Sequence, residues 1–95
     1  MRPLPHYPVG MQYEALSDES LAQLIDGRDE GAFSALYDRY ARQAYAVALL
    51  VTRDASAAAA VVEKLFWELW QHGAPPFPGA TFRNALMLSA RRLAE

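Results

Sequence analysis

Residues 54–95 read DASAAAAVVEKLFWELW, then QHGAPPFPGA, then TFRNALMLSARRLAE, and these three blocks decide the fold. In the first, Val61, Val62, Leu65, Phe66, Leu69 and Trp70 recur at helical spacing and share one face. Asp54 stands where a helix N-cap belongs. The middle block cannot stay helical, because Pro75, Pro76 and Pro78 lack a backbone donor and lock φ. The third block opens at Thr81, a good cap. It turns Phe82, Ala85, Leu86, Ser89 and Leu93 to one side.

The same logic works outward toward the N-terminus. Asp29 caps a long helix that reaches about Val51. Phe33, Leu36, Tyr37, Tyr40, Ala44, Val47 and Val51 form its apolar stripe, with Asp38, Arg39 and Arg42 opposite. Before it, Ser17 caps a short helix with Asp18 and Glu19 in its first turn, where the helix dipole favours negative charge. Leu21, Leu24 and Ile25 are its apolar side, and Gly27 is its stop. Residues 1–15 hold Pro3, Pro5, Pro8 and Gly10 and read as a flexible leader to a domain spanning 16–95. No strand alternation and no internal repeat occurs. The expected fold is all-α, a small four-helix bundle.

Composition narrows the classes. Ninety-five residues suit one domain. The hydrophobic fraction of 53% argues against a disordered chain. The absence of cysteine removes disulfide frameworks and thiolate metal sites. No apolar run approaches the roughly 20 residues needed to span a bilayer, so no membrane role is expected and a cytoplasmic location is. Net charge is −2, but unevenly spread. Residues 1–70 carry six Lys and Arg against ten Asp and Glu, a balance of −4. Residues 71–95 carry Arg83, Arg91 and Arg92 against Glu95 alone, a balance of +2. Three arginines neutralise few phosphates, so a nucleic-acid ligand would need a partner to supply most of the affinity.

Two outer faces carry the functional signal. The third helix, from Asp54 to Trp70, turns Ser56, Ala57, Ala60, Glu63, Lys64, Trp67, Glu68 and Gln71 outward. A tryptophan among alanines reads as an interface anchor, large, rigid and tipped with a donor. The bland alternative is that Trp67 packs beneath the leader or another helix of the domain. The fourth helix turns Arg83, Asn84, Met87, Leu88, Arg91 and Arg92 outward. Arginine grips phosphate or guanine edges, and asparagine pairs with adenine. Phe77, on the proline loop between the helices, forms one wall of a base pocket or tucks inward as a lid. The bland alternative for the fourth helix is a solvated charged face.

Catalysis finds no constellation. His6 and His72 do not pair, no glycine-rich phosphate loop or nucleophile elbow occurs, and Asp26, Asp29 and Glu30 lack calcium-loop spacing. No enzymatic activity, metal or cofactor is expected. The chain also stops at Glu95 without a helix stop signal, as expected of a domain taken from a longer protein.

The ordered blocks support a resemblance. They run Leu16-Ser17-Asp18-Glu19-Ser20-Leu21, Gly27-Arg28-Asp29-Glu30-Gly31-Ala32-Phe33, Leu36-Tyr37-Asp38-Arg39-Tyr40, Leu65-Phe66-Trp67-Glu68-Leu69-Trp70 and Thr81-Phe82-Arg83-Asn84-Ala85-Leu86. This succession, over Leu16 to Glu95, resembles region 2 of the extracytoplasmic-function sigma factors of bacterial RNA polymerase. The resemblance implies a domain for transcription initiation. Its third helix would dock on the clamp coiled coil of the largest subunit of core RNA polymerase, through Asp54, Ala60, Glu63, Lys64, Trp67 and Gln71. Its loop and fourth helix would bind the non-template strand of the minus-ten promoter element and hold a flipped-out base, through Phe77, Arg83, Asn84, Met87 and Arg91. An anti-sigma factor is a further implied partner.

The chain departs from that pattern in the third helix. Ser56, Ala57, Ala59 and Ala60 stand where acidic residues are usual, Glu63 where glutamine is usual, Lys64 where an acid is usual, and Ala85 where a tryptophan is common. An alternative expectation follows. A sigma-like domain could have become a protein-binding module whose alanine-rich third helix forms a homodimer or binds a regulator.

Overall fold

The computed structural model describes residues 12–95, and those residues form an all-α bundle. The helices are α1 (Asp18–Asp26), α2 (Glu30–Thr52), α3 (Ala55–His72) and α4 (Phe82–Ala94). Each N-cap named by the sequence makes its bond. Ser17 Oγ accepts from Ser20 N at 3.1 Å, and Asp29 Oδ1 from Ala32 N at 2.9 Å. Asp54 Oδ2 accepts from Ala57 N at 2.8 Å, and Thr81 Oγ1 from Asn84 N at 3.1 Å. These oxygens satisfy amides that the first helical turn leaves without partners.

Most of the expected leader lies outside the described residues. Its last part is ordered rather than loose. Tyr13–Ala15 forms a 3-10 turn against α2, and the Tyr13 hydroxyl donates to Asp29 Oδ1 at 3.1 Å. Gly31 makes room for this contact, since a Cβ there would meet the Tyr13 ring at 2.5 Å.

The core lies where α2, α3 and α4 meet, with α1 closing one end. Leu21, Ile25, Leu36, Leu65, Phe66, Leu69 and Leu86 are its buried large side chains. Helix α3 runs antiparallel to α2, pairing Phe33 edge-on with Trp70 at 5.3 Å and Tyr37 with Phe66 at 4.9 Å. Helix α4 runs parallel to α2, starting with Tyr40 and Phe82 rings 6.3 Å apart. Ala44 of α2 and Ala90 of α4 are fully buried in the core, and Ala48 of α2 packs with Ala58 and Val61 of α3.

Three expectations about α2 change, the simplest being Val51, which ends the apolar stripe yet is exposed. Arg39 does not point to solvent. Its Nη1 donates to Asp18 Oδ1 at 2.7 Å and to the Leu16 carbonyl at 3.2 Å, which fastens α1 and the turn before it. Tyr37 is 43% exposed although it falls on the apolar stripe. The stop after α1 is also shared differently: Gly27 keeps φ at −90°, and the left-handed turn falls on Arg28 at φ 65°. That turn aims Arg28 at the end of α3. Its Nη1 donates to the Trp70 carbonyl, and its guanidinium lies 5.4 Å over the Trp70 ring. A cation against a helix C-terminus meets both its orphan carbonyls and its negative dipole end.

Candidate functional site

Two separate surfaces gather the residues singled out by the sequence. On α3, Ser56, Ala60, Glu63, Lys64, Trp67 and Gln71 are all exposed and lie along one side of the helix. Trp67 is 56% exposed, while its neighbour Phe66 is 2% exposed and faces the core. One step of 100° on the helix separates them and sends adjacent aromatics to opposite environments. Asp54 is exposed too, but one of its carboxylate oxygens is committed to capping the helix. Lys64 Nζ lies 3.4 Å from Glu68 Oε2, an exposed i,i+4 pair. Such pairs contribute about 0.3–0.5 kcal/mol, so Lys64 is free to exchange partners.

Trp67 borders a groove of about 680 Å³ between α2 and α3. Phe33 and Tyr37 of α2 and Ser56, Ala59, Ala60 and Phe66 of α3 are among its lining. Sequence reading placed Tyr37 in the core, but its ring lies at the edge of this groove, 4.9 Å from the Phe66 ring.

On α4, Arg83 and Asn84 are exposed at the first turn and Arg91 at the last. Arg83 Nε donates to Gln43 Oε1 at 3.4 Å, a long contact across to α2. Arg91 Nε lies 3.7 Å from Glu95 Oε2, an exposed pair that solvent screens. Met87 is half-buried and packs on the core, where an outward position was expected. With Val47 it forms the floor of a hollow of about 410 Å³ whose rim is Asn84, Leu88 and Arg91. Three of the five expected nucleic-acid residues, Asn84, Met87 and Arg91, therefore share one hollow, and Arg83 stands beside Asn84 in the first turn of α4. The hollow offers an apolar floor, one amide and one cation.

Phe77 is not brought to them. The loop between α3 and α4 turns at Gly73 (φ 82°) and Gly79 (φ 84°), conformations open to glycine. Internal bonds from Phe77 N to the Pro75 carbonyl and from Ala80 N to the Phe77 carbonyl, each 3.0 Å, fold it on itself. Phe77 is half-buried and borders a different hollow, whose lining also includes Ala22, Gln23 and Asp26 of α1. The Arg92 guanidinium lies 5.2 Å over its ring. Arg92 thus belongs to the loop side of α4, not to the side of Arg83 and Arg91.

One partly buried titratable group stands between α1 and α2. The Tyr40 hydroxyl donates to Asp18 Oδ2 at 2.5 Å. Its pKa is pushed up from 10.0 to about 12, first by burial, then by that hydrogen bond and by the negative charge of Asp18. The Asp18 carboxylate thereby holds α1 to α2 through two donors, Tyr40 and Arg39.

No family model, no curated protein and no solved structure matches this chain. Among the described residues no helix is long and apolar enough to cross a membrane.

Proposed function

We propose that the chain is a sigma-factor region 2-like domain that acts in transcription initiation by binding rather than by catalysis. In this reading α3 docks on the clamp of core RNA polymerase, and α4 receives the non-template strand of the minus-ten element. The protein works in the cytoplasm with the polymerase.

The observation that carries the reading is the bare indole of Trp67, 56% exposed on α3 and away from the arginines and asparagine of α4. A partner on one face and a strand on another would not compete. The order of four helices, each capped as the ordered sequence blocks require, also supports it. The position of Phe77 refines the assignment. Base contact falls to Asn84, Met87 and Arg91, which share a hollow that Phe77 does not line. Extruding a base costs a few kcal/mol, which polymerase contacts would offset.

Two assays test the reading. Immobilised domain is incubated with core RNA polymerase, and Trp67→Ala is expected to lower capture. Single-stranded minus-ten DNA is titrated against the polymerase complex, and Arg83→Ala and Asn84→Ala are expected to weaken it. Each lost contact of this kind is worth about 1–3 kcal/mol. Undiminished capture and DNA binding in all three variants would overturn the assignment.

A further inference from the structure

The outer stripe of α3 has a symmetry that one helix does not need. Read from its centre between Glu63 and Lys64, six exposed positions pair as Glu63 with Lys64, Ala60 with Trp67, and Ser56 with Gln71, while exposed Ala59 falls opposite the half-buried Glu68. Each pair is complementary: acid with base, small with large, hydroxyl with amide. All six side chains are exposed. We infer that this face binds a second copy of the chain, with the two α3 helices antiparallel and a two-fold axis passing between Glu63 and Lys64.

The geometry follows from helix dimensions. Ala60 and Trp67 are seven residues apart, about two turns or ~10 Å, so they lie on the same side. In the antiparallel pair, each Trp67 lies over Ala60 of the second copy. Beside Ala60 is the groove of about 680 Å³ walled by Tyr37 and Phe66, which gives the incoming indole an apolar bed. Glu63 of each copy then faces Lys64 of the other, and Lys64 leaves the weak intrahelical partner it has at 3.4 Å. An isologous contact of this kind makes every interaction twice. The two indoles supply most of the attraction, and the two charge pairs set the register.

The inference rests on the α3 surface alone and does not require the polymerase reading. Joined to that reading it adds regulation. The paired state covers Trp67, so self-association and polymerase docking exclude each other, and dilution or a competing clamp would release the active monomer.

Sedimentation equilibrium of the purified chain without polymerase tests the pairing over about 1–500 µM, where weak dimers become visible. The native chain is expected to dimerise, and Trp67→Ala to weaken the dimer by about thirtyfold. Glu63→Lys alone and Lys64→Glu alone each set like charges face to face, and each is expected to weaken pairing at least about tenfold. An equimolar mixture of those two variants restores it, because every charge then meets its opposite on the other copy. Circular dichroism confirms that the exposed substitutions leave the fold intact. A chain that stays monomeric throughout overturns the inference. So does a dimer indifferent to Trp67→Ala, or a mixture no tighter than its components.

Discussion

Replacing Phe66 and Trp67 one at a time with alanine separates stability from docking. The residues are adjacent, yet Phe66 is 2% exposed and Trp67 is 56% exposed. Phe66 stacks near Phe33 at 6.1 Å and Tyr37 at 4.9 Å, and its loss opens a cavity between α2 and α3. Such a truncation costs about 3–5 kcal/mol. A domain of 95 residues holds on the order of 5–14 kcal/mol in total. Phe66→Ala therefore leaves a marginal or partly unfolded protein.

For Trp67 the covered part is under half of the residue. Of the roughly 200 Å² of a tryptophan side chain, about 90 Å² is at stake. At about 25 cal/mol per Å² the upper limit is about 2 kcal/mol. Alanine's better helix propensity returns about 0.5 kcal/mol, leaving a net loss of roughly 1–1.5 kcal/mol. Urea denaturation followed by far-ultraviolet circular dichroism measures both. Polymerase capture and self-association are then compared at equal folded fraction. Trp67→Ala is expected to keep the fold and lose binding. If it costs as much stability as Phe66→Ala, the indole is part of the core and the docking argument fails.

Three further outcomes follow from the packing. Asp18→Ala deprives Arg39 and Tyr40 of their shared acceptor and is expected to cost about 1–3 kcal/mol. Combining it with Arg39→Ala adds less than the sum of the two, which a double-mutant cycle on thermal unfolding reads directly. Tyr40 binds its proton more tightly in the folded state, so its contribution is intact below pH 10.0 and lost as pH rises toward about 12. Tyr40→Phe flattens that alkaline limb, and denaturation profiles across the window test it. Gly31→Ala puts a Cβ 2.5 Å from the Tyr13 ring, so the ring must leave and its bond to Asp29 breaks. Faster amide exchange at residues 13–16, with α2 itself unchanged, is the expected signature, and unaltered exchange would contradict the contact.

The local features were legible because they are local. Each cap is a side chain bonding an amide three residues on, and each core face is a spacing of three and four. Ser17, Asp29, Asp54 and Thr81 needed no tertiary information. Arg39 and Arg28 were misplaced or overlooked because long side chains take their direction from distant partners. Asp18 lies twenty-one residues from Arg39, and the Trp70 carbonyl forty-two residues from Arg28. Met87 moved from surface to half-buried because Val47 of α2 lies beside it. Phe77 lies beneath the Arg92 guanidinium and borders a different hollow from Asn84, Met87 and Arg91, a placement set by a residue fifteen positions away in sequence.

The amino-acid order alone dictated four helices, their starts and the apolar side of each, since hydrogen bonds and periodicity within one turn specify them. It also placed Trp67 and the α4 arginines on outer faces. Tertiary packing alone decided which of those faces border hollows. Tyr37 and Trp67 come to border one groove because α3 runs antiparallel to α2 with Phe66 set against Tyr37. Asn84, Met87 and Arg91 share a hollow because α4 runs alongside Val47 of α2. Coverage of a surface depends on the size and reach of neighbours distant in sequence, and no single helix encodes that.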